Sequence, residues 1–188
     1  MKKSSNGVRK AIIRDIPKIL SLINSYAAKG IMLPRTEFEM SENIRDFSVA
    51  YDQDGSQLLG CGALHFYTPT VAEVRSLAVL PEAKQHGIGR KIVEFLEEEA
   101  RENELDSIFA FTYVPQFFAR LGFSEVERGE LPLKAWKDCL RCPKFQNCDE
   151  IAVLKRLSSE PGHEVHPPYL NILDEFIQLP HIANTGLR

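Results

Sequence analysis

The chain has 188 residues, 44% hydrophobic and 26% charged, with a formal net charge of −3. That balance fits one soluble globular domain with short extensions, and the slight acidity argues against general nucleic-acid binding. No run approaches the ~18 consecutive apolar residues of a membrane span, and Met1 to Gly7 lacks the apolar core of a signal peptide. Four cysteines without a secretion signal read as thiols or a metal site before disulfides, so a cytoplasmic enzyme is expected.

Val8 to Ile13 reads as a first strand. Asp15 is placed to cap a helix, with Pro17 tolerated in its first turn. Ile16, Ile19, Leu20, Ile23 and Ala27 fall at helical spacing, and Gly30 is a fitting stop. In the loop from Ile31 to Thr36, Arg35 carries a planar fork that can grip both oxygens of a carboxylate. Ser41 starts a second short helix, to about Asp46. Phe47 to Asp52 and Gln57 to Tyr67 read as strands joined at Asp54-Gly55, a strong hairpin dipeptide. Pro69 marks the next turn, and Val71 to Val79 returns antiparallel.

Pro81 stops that strand, and a polar loop, Glu82 to His86, leads to Gly87-Ile88-Gly89. These open a helix with apolar positions Ile88, Ile92, Val93, Phe95, Leu96 and Ala100, one buried face. A helix start offers unpaired N–H donors and the positive end of the macrodipole, and glycine lets a phosphate approach. Gly-x-Gly alone is weak, since neither GxGxxG nor GxxxxGK[ST] is present. Within the preceding strand, two-residue alternation puts Glu73, Arg75, Leu77 and Val79 on one face, and Val74, Ser76 and Ala78 on the other. A glutamate there is costly if buried without partners, so it serves either a site or a cross-strand ion pair, with Arg75 the candidate partner.

Asp106 to Thr112 follows as a strand, then a helix near Pro115 to Leu121. Cys139-x-x-Cys142-x5-Cys148 reads first as a tight loop of small thiols, second as a zinc site completed by Cys61 or a histidine, third as a redox-sensitive dithiol; no metal is assigned. Lys134, Lys137 and Arg141 would complement a dicarboxylate. Glu150 to Lys155 reads as a last strand. Ser158 to Pro168 has a linker composition, where His163 and His166 read as exposed. Tyr169 to Leu179 has apolar residues at helical spacing, fit to dock on the domain or on a second subunit of a homodimer. The expected layout is a flexible terminus over 1–7, a domain over 8–157 and an extension over 158–188. Its class is α/β, a mixed and mostly antiparallel sheet of six to seven strands flanked by helices.

Two stretches give this pattern a family. LAVLPEAKQHGIGRKIVEFL resembles the acetyl-CoA-binding motif of the GNAT N-acetyltransferase superfamily, [Gln/Arg]-x-x-Gly-x-[Gly/Ala] at a helix start, with Lys84 departing from the usual first residue. VPQFFARLGF, from Val114 to Phe123, resembles the superfamily's A-x-x-F-Y-x-x-x-G-F segment. The resemblance implies the GNAT fold, with a splayed strand pair that admits acetyl-CoA as cosubstrate. It implies cofactor contacts at Leu77, Ala78, Val79, Lys84, Gln85, His86, Gly87, Ile88, Gly89, Arg90 and Phe117. It makes Glu73, in Glu73-Val74-Arg75-Ser76-Leu77-Ala78-Val79, a general base for an amine. Phe118 stands where the superfamily often has a tyrosine acid, which leaves Tyr113 as the nearby hydroxyl. ELPLKAWKDCLRCPKFQNCDE and the Gly30–Thr36 loop look like the short N-acetylglutamate synthases of arginine biosynthesis. That likeness implies a small amino-acid acceptor, glutamate first and glutamine next, held by Arg35, Arg75 and Ser76. The mechanism expected is direct transfer in a ternary complex. The alternatives are a GNAT enzyme for another small amine or a protein N-terminus, and a non-catalytic acyl-CoA-binding module.

Overall fold

The computed structural model describes residues 7–131, 142–144 and 147–157. Among these, strand β1 (Val8–Lys10) leads through a 3-10 turn (Ile13–Asp15) into helix α1 (Ile16–Ala27), followed by α2 (Glu37–Asn43). Strands β2 (Phe47–Tyr51), β3 (Leu58–Phe66) and β4 (Val71–Val79) form an antiparallel meander. Helix α3 (Ile88–Glu102), strand β5 (Ser107–Thr112), helix α4 (Pro115–Ala119) and strands β6 (Ser124–Glu125) and β7 (Ile151–Arg156) complete the chain. The strands make one seven-stranded sheet in the order β1-β2-β3-β4-β5-β7-β6. Only β4 and β5 pair in parallel, so the expected mixed, mostly antiparallel sheet flanked by helices is the observed one.

The sheet buries both faces. On one, Ile92, Val93, Phe95, Leu96 and Ala100 of α3 pack with Leu64, Val74, Ile108 and Phe118. Each large side chain so buried contributes about 1.5–3 kcal/mol, which anchors α3 by the face its periodicity marked. On the other, Ile16, Ile19, Leu22, Ile23 and Tyr26 of α1 and Met40 of α2 cover Val49, Cys61, Ala63 and Ala78. A separate cluster, Val71, Phe109, Leu131 and Ala152, covers the β5–β7 end.

Several local expectations are corrected. The first strand ends at Lys10 rather than Ile13, because the chain bends back around Asp15. Asp15 does not cap α1. Its carboxylate accepts from Arg9 at 2.7 and 2.9 Å, from the Ile12 N–H at 2.8 Å and from the Tyr51 hydroxyl at 2.8 Å. Burial pushes that carboxyl up, and these donors together outweigh it and hold it below its ordinary value. The inward stripe of α1 also includes Leu22 and Tyr26, while Leu20 is half-buried. Helix α2 starts at Glu37, four residues before Ser41, capped by Thr36, whose hydroxyl accepts from the Glu39 N–H. Thr36-x-x-Glu39 is a capping-box signature, so that start was legible. Cys139, Lys134, Lys137, Arg141, His163, His166 and the 158–188 extension lie outside the described residues.

Candidate active site

Strands β4 and β5 pair only over Val71–Ser107, Ala72–Ile108 and Glu73–Phe109. Beyond Glu73, β4 runs to Val79 against β3 alone, and β5 follows β7. The cause is on β4. The register against β3 slips between Cys61 and Ala63, and Ser76 takes a left-handed φ of 53°. Two residues there oppose one on β3, a bulge that bends and twists the strand. The bulge also breaks the regular alternation expected from sequence. Glu73 lies opposite His65, on the sheet face of α1. Leu77 packs instead with the α3 side, and Val79 lies 3.6 Å from the position of a Gly89 Cβ on α3. So Glu73 and Arg75 face away from Leu77 and Val79.

The parting strands open a cleft of about 910 Å³. Leu77, Ala78, Val79, Lys84, Gln85, Gly87, Ile88, Gly89, Arg90 and Phe117 all line it; His86 does not. His86 is exposed, its Nδ1 lying 2.9 Å from the Lys84 carbonyl oxygen. At this end the chain takes positive φ at Gln85 (69°) and Gly87 (76°) and enters α3. The first helical bond is Lys91 N–H to Gly87 carbonyl, so the amides of Ile88, Gly89 and Arg90 stand ahead of the ladder. A Cβ on Gly87 would meet nothing within 4 Å; its backbone is what asks for glycine. A Cβ on Gly89 would lie 3.4 Å from the Phe117 ring. The cradle of free amides, the positive helix end and the half-apolar wedge suit an elongated ligand with an anionic head. Lys84 places its ammonium 5.2 Å from the Tyr26 ring centroid, and the Tyr26 hydroxyl donates to the Val79 carbonyl at 2.6 Å. Tyr26 thus ties α1 to the end of β4, a contact the sequence did not signal.

At the point of the wedge stands Glu73, 9% exposed. The Tyr67 hydroxyl donates to its Oε2 at 2.9 Å. Arg75 and Ser76 line the same cleft, and so do Arg35 and the loop from Gly30 to Pro34. The Arg35 backbone is clamped by the Asn24 amide in both directions, at 2.9 and 3.0 Å. One cleft therefore brings together an anion cradle, a buried carboxylate at the strand divergence and two arginines.

The far wall comes from β5 and the segment before β7. Tyr113 is 37% exposed, with Lys144 Nζ 3.2 Å from its hydroxyl and 4.9 Å from its ring centroid. Burial pushes its phenol up, so it stays protonated at neutral pH. Phe118 is buried edge-to-face between Phe117 and Phe123, and it has no hydroxyl to offer. Sequence reasoning missed Glu150 and Arg128. Burial raises the Glu150 carboxyl, and Arg128 donates to the carbonyls of Cys148 and Glu150. Cys142 and Cys148 line the cleft as free thiols, whereas Cys61 is fully buried and its thiol is pushed up to about 12. No group of three metal-ligating side chains occurs among the described residues. Nor is any described helix long and apolar enough to cross a membrane.

Comparison with known proteins agrees with this architecture. The family model for the acetyltransferase (GNAT) family matches residues 19–123. An uncharacterized N-acetyltransferase of Chlorobaculum tepidum is 45% identical over 150 residues, 80% of this chain and 96% of the relative. An amino-acid acetyltransferase of Mycobacterium tuberculosis is 40% identical over 121 residues, 64% of this chain and 69% of the relative. Among solved structures, the N-acetylglutamate synthase of Neisseria gonorrhoeae, complexed with coenzyme A and N-acetyl-glutamate, is similar with a TM-score of 0.73 and 29% identity. That match covers 84% of this chain and 36% of the synthase. A splayed sheet, a helix that starts after a left-handed Gly87 and a family match over 19–123 agree, and the chain belongs to the GNAT acetyltransferase family.

Proposed function

We propose that this protein transfers an acetyl group to the α-amine of a small amino acid, glutamate first among the acceptors. The observation that carries the reading is Glu73, buried at the point where β4 and β5 part, in one cleft with Arg35 and Arg75. Acetyl-CoA, the family's cosubstrate, supplies an activated thioester carbonyl for the amine to attack. The amides of Ile88, Gly89 and Arg90, with Lys84 beside them, hold its diphosphate. The edge of β4 from Leu77 to Val79 pairs with its pantetheine arm as a sheet edge pairs with a strand. Phe117 closes the apolar wall against Gly89.

Arg35 grips an acceptor carboxylate through its fork, and Arg75 and Ser76 complete the polar lining. An amino-acid α-amine is mostly protonated at neutral pH, so its proton must leave before attack. Glu73 takes it, directly or through a water. The Leu77 amide, next to the bulge, steadies the charge that develops on the carbonyl oxygen. The departing thiolate is a good leaving group, and the Tyr113 hydroxyl, which lines the cleft, can protonate it. Two names support the acceptor. The Mycobacterium tuberculosis relative is called an amino-acid acetyltransferase, and the Neisseria structure is an N-acetylglutamate synthase.

The test is thiol release from acetyl-CoA against a panel of free amino acids, polyamines and peptide N-termini. Turnover confined to glutamate and glutamine is the expected result. Turnover with another amine alone would keep the fold and the cradle and overturn the acceptor.

A further inference from the structure

The hydrogen bond on Glu73 belongs to a larger arrangement. Tyr67 follows β3, and its N–H bonds the Val71 carbonyl across the turn. Its ring is fixed on two sides, 5.8 Å from Phe109 and edge-on to His65 at 5.0 Å. His65 is pinned in turn, its Nδ1 lying 2.6 Å from Asp46 Oδ2. The phenol is thus held in place before any ligand arrives. It donates to Oε2 of a carboxylate with little access to water.

We infer that Tyr67 is the positioning residue of the base: its hydroxyl fixes the Glu73 carboxylate at the mouth of the wedge and keeps it ionised. Burial favours the neutral carboxyl, and a donor to the charged form favours ionisation. A base must be unprotonated to accept a proton, so the phenol extends the pH range over which Glu73 works. Among the described residues, the titratable or charged groups around Glu73 are Tyr67 and His65 from the β3 side, with Asp46 behind His65. Arg75 lies on β4 itself, and Arg35 lines the same cleft; β5 presents the apolar Phe109. The Tyr67 hydroxyl donates to Oε2. The inference rests on the reading of Glu73 as base, and its test separates the two.

The test is the titration of the Glu73 carboxyl carbon by ¹³C NMR in the full chain, assigned with Glu73→Gln. In Tyr67→Phe the midpoint rises by about one pH unit, the scale of one hydrogen bond to a charged group. With 3-fluorotyrosine at position 67, a stronger donor of nearly the same shape, the midpoint falls. The acid limb of kcat/KM moves with it in each variant. Midpoints that coincide in all three proteins overturn the inference, since a packing role alone lowers melting temperature and leaves the carboxyl unchanged. If the midpoint moves while Glu73→Gln keeps full turnover, the hydrogen bond stands and the assignment of Glu73 as base fails.

Discussion

Helix α3 stands close to the sheet because β3 carries Gly60 and Gly62 beneath it. A Cβ added at Gly60 would lie 2.9 Å from the Ala78 carbonyl oxygen, 3.0 Å from Ile92 Cδ1 and 3.2 Å from Ile88 Cγ2. The first contact is with backbone of the neighbouring strand, which cannot turn aside. Both others belong to the first turns of α3, whose free amides face the cleft. Gly60→Ala therefore forces β4 and the start of α3 outward together. Overpacking of this kind costs about 1–3 kcal/mol, and the backbone clash places this case at the upper end. Gly62→Ala is the control. Its nearest contact, 2.9 Å, is the Ile92 Cγ2 methyl, and Leu77 and Leu96 methyls follow at 3.3 and 3.4 Å. Side chains relax more cheaply than backbone, so its loss is smaller. Urea unfolding measures stability, and calorimetric titration measures acetyl-CoA affinity. The expected result is the larger stability loss for Gly60→Ala, with weakened acetyl-CoA binding in the same variant. A Gly60→Ala protein as stable and as tight-binding as the parent would refute the argument that this glycine sets the α3 position.

Asp15→Asn takes away the charge and one of the two oxygens that accept from Arg9, Ile12 and Tyr51, and unfolding free energy falls by about 2 kcal/mol at neutral pH, the scale of hydrogen bonds to a charged group. Because the folded Asp15 carboxyl lies below its ordinary value, its contribution is complete above about pH 4 and is lost as pH falls through the folded value. The parent therefore loses more stability on acidification than the Asn variant, in which Glu97 and the other lowered carboxyls still titrate, as read by urea midpoints across pH. Phe118→Tyr puts a hydroxyl into an edge-to-face aromatic cluster; melting temperature falls, and kcat does not rise. Tyr113→Phe lowers kcat by about tenfold or more if the phenol protonates the thiolate, and an unchanged kcat would remove Tyr113 from the chemistry. Arg35→Ala raises KM for glutamate and leaves KM for acetyl-CoA in place, as initial-rate kinetics would show.

The sequence carried the fold well where pattern and packing agree. The buried stripe of α3 from Ile88 to Ala100, the Asp54-Gly55 hairpin and the Gly87–Gly89 helix start were all readable from local chemistry. Glu73 was readable as an anomaly, a carboxylate amid apolar residues. Its surroundings were less so. A hairpin centred on Pro69 pairs residue 65 with 73 and puts 65, 67, 71 and 73 on one face, so Tyr67 had a signal that simple alternation within β4 does not use. The bulge at Ser76 had no such signal, because serine is not a residue that announces a positive φ. That one residue reverses which side chains share a face beyond it. Asp15 shows the other kind of gap. A cap and a buried ion-pair corner need the same residue type at the same place, and only the distant Arg9 and Tyr51 decide between them.

The most direct test is the steady-state rate of Glu73→Gln with acetyl-CoA and glutamate, alongside its acetyl-CoA affinity. The account predicts that kcat falls by about 10²-fold or more, the scale of a lost general base, while acetyl-CoA binds as in the parent. Turnover that survives the substitution intact would contradict the placement of the base where the two strands part.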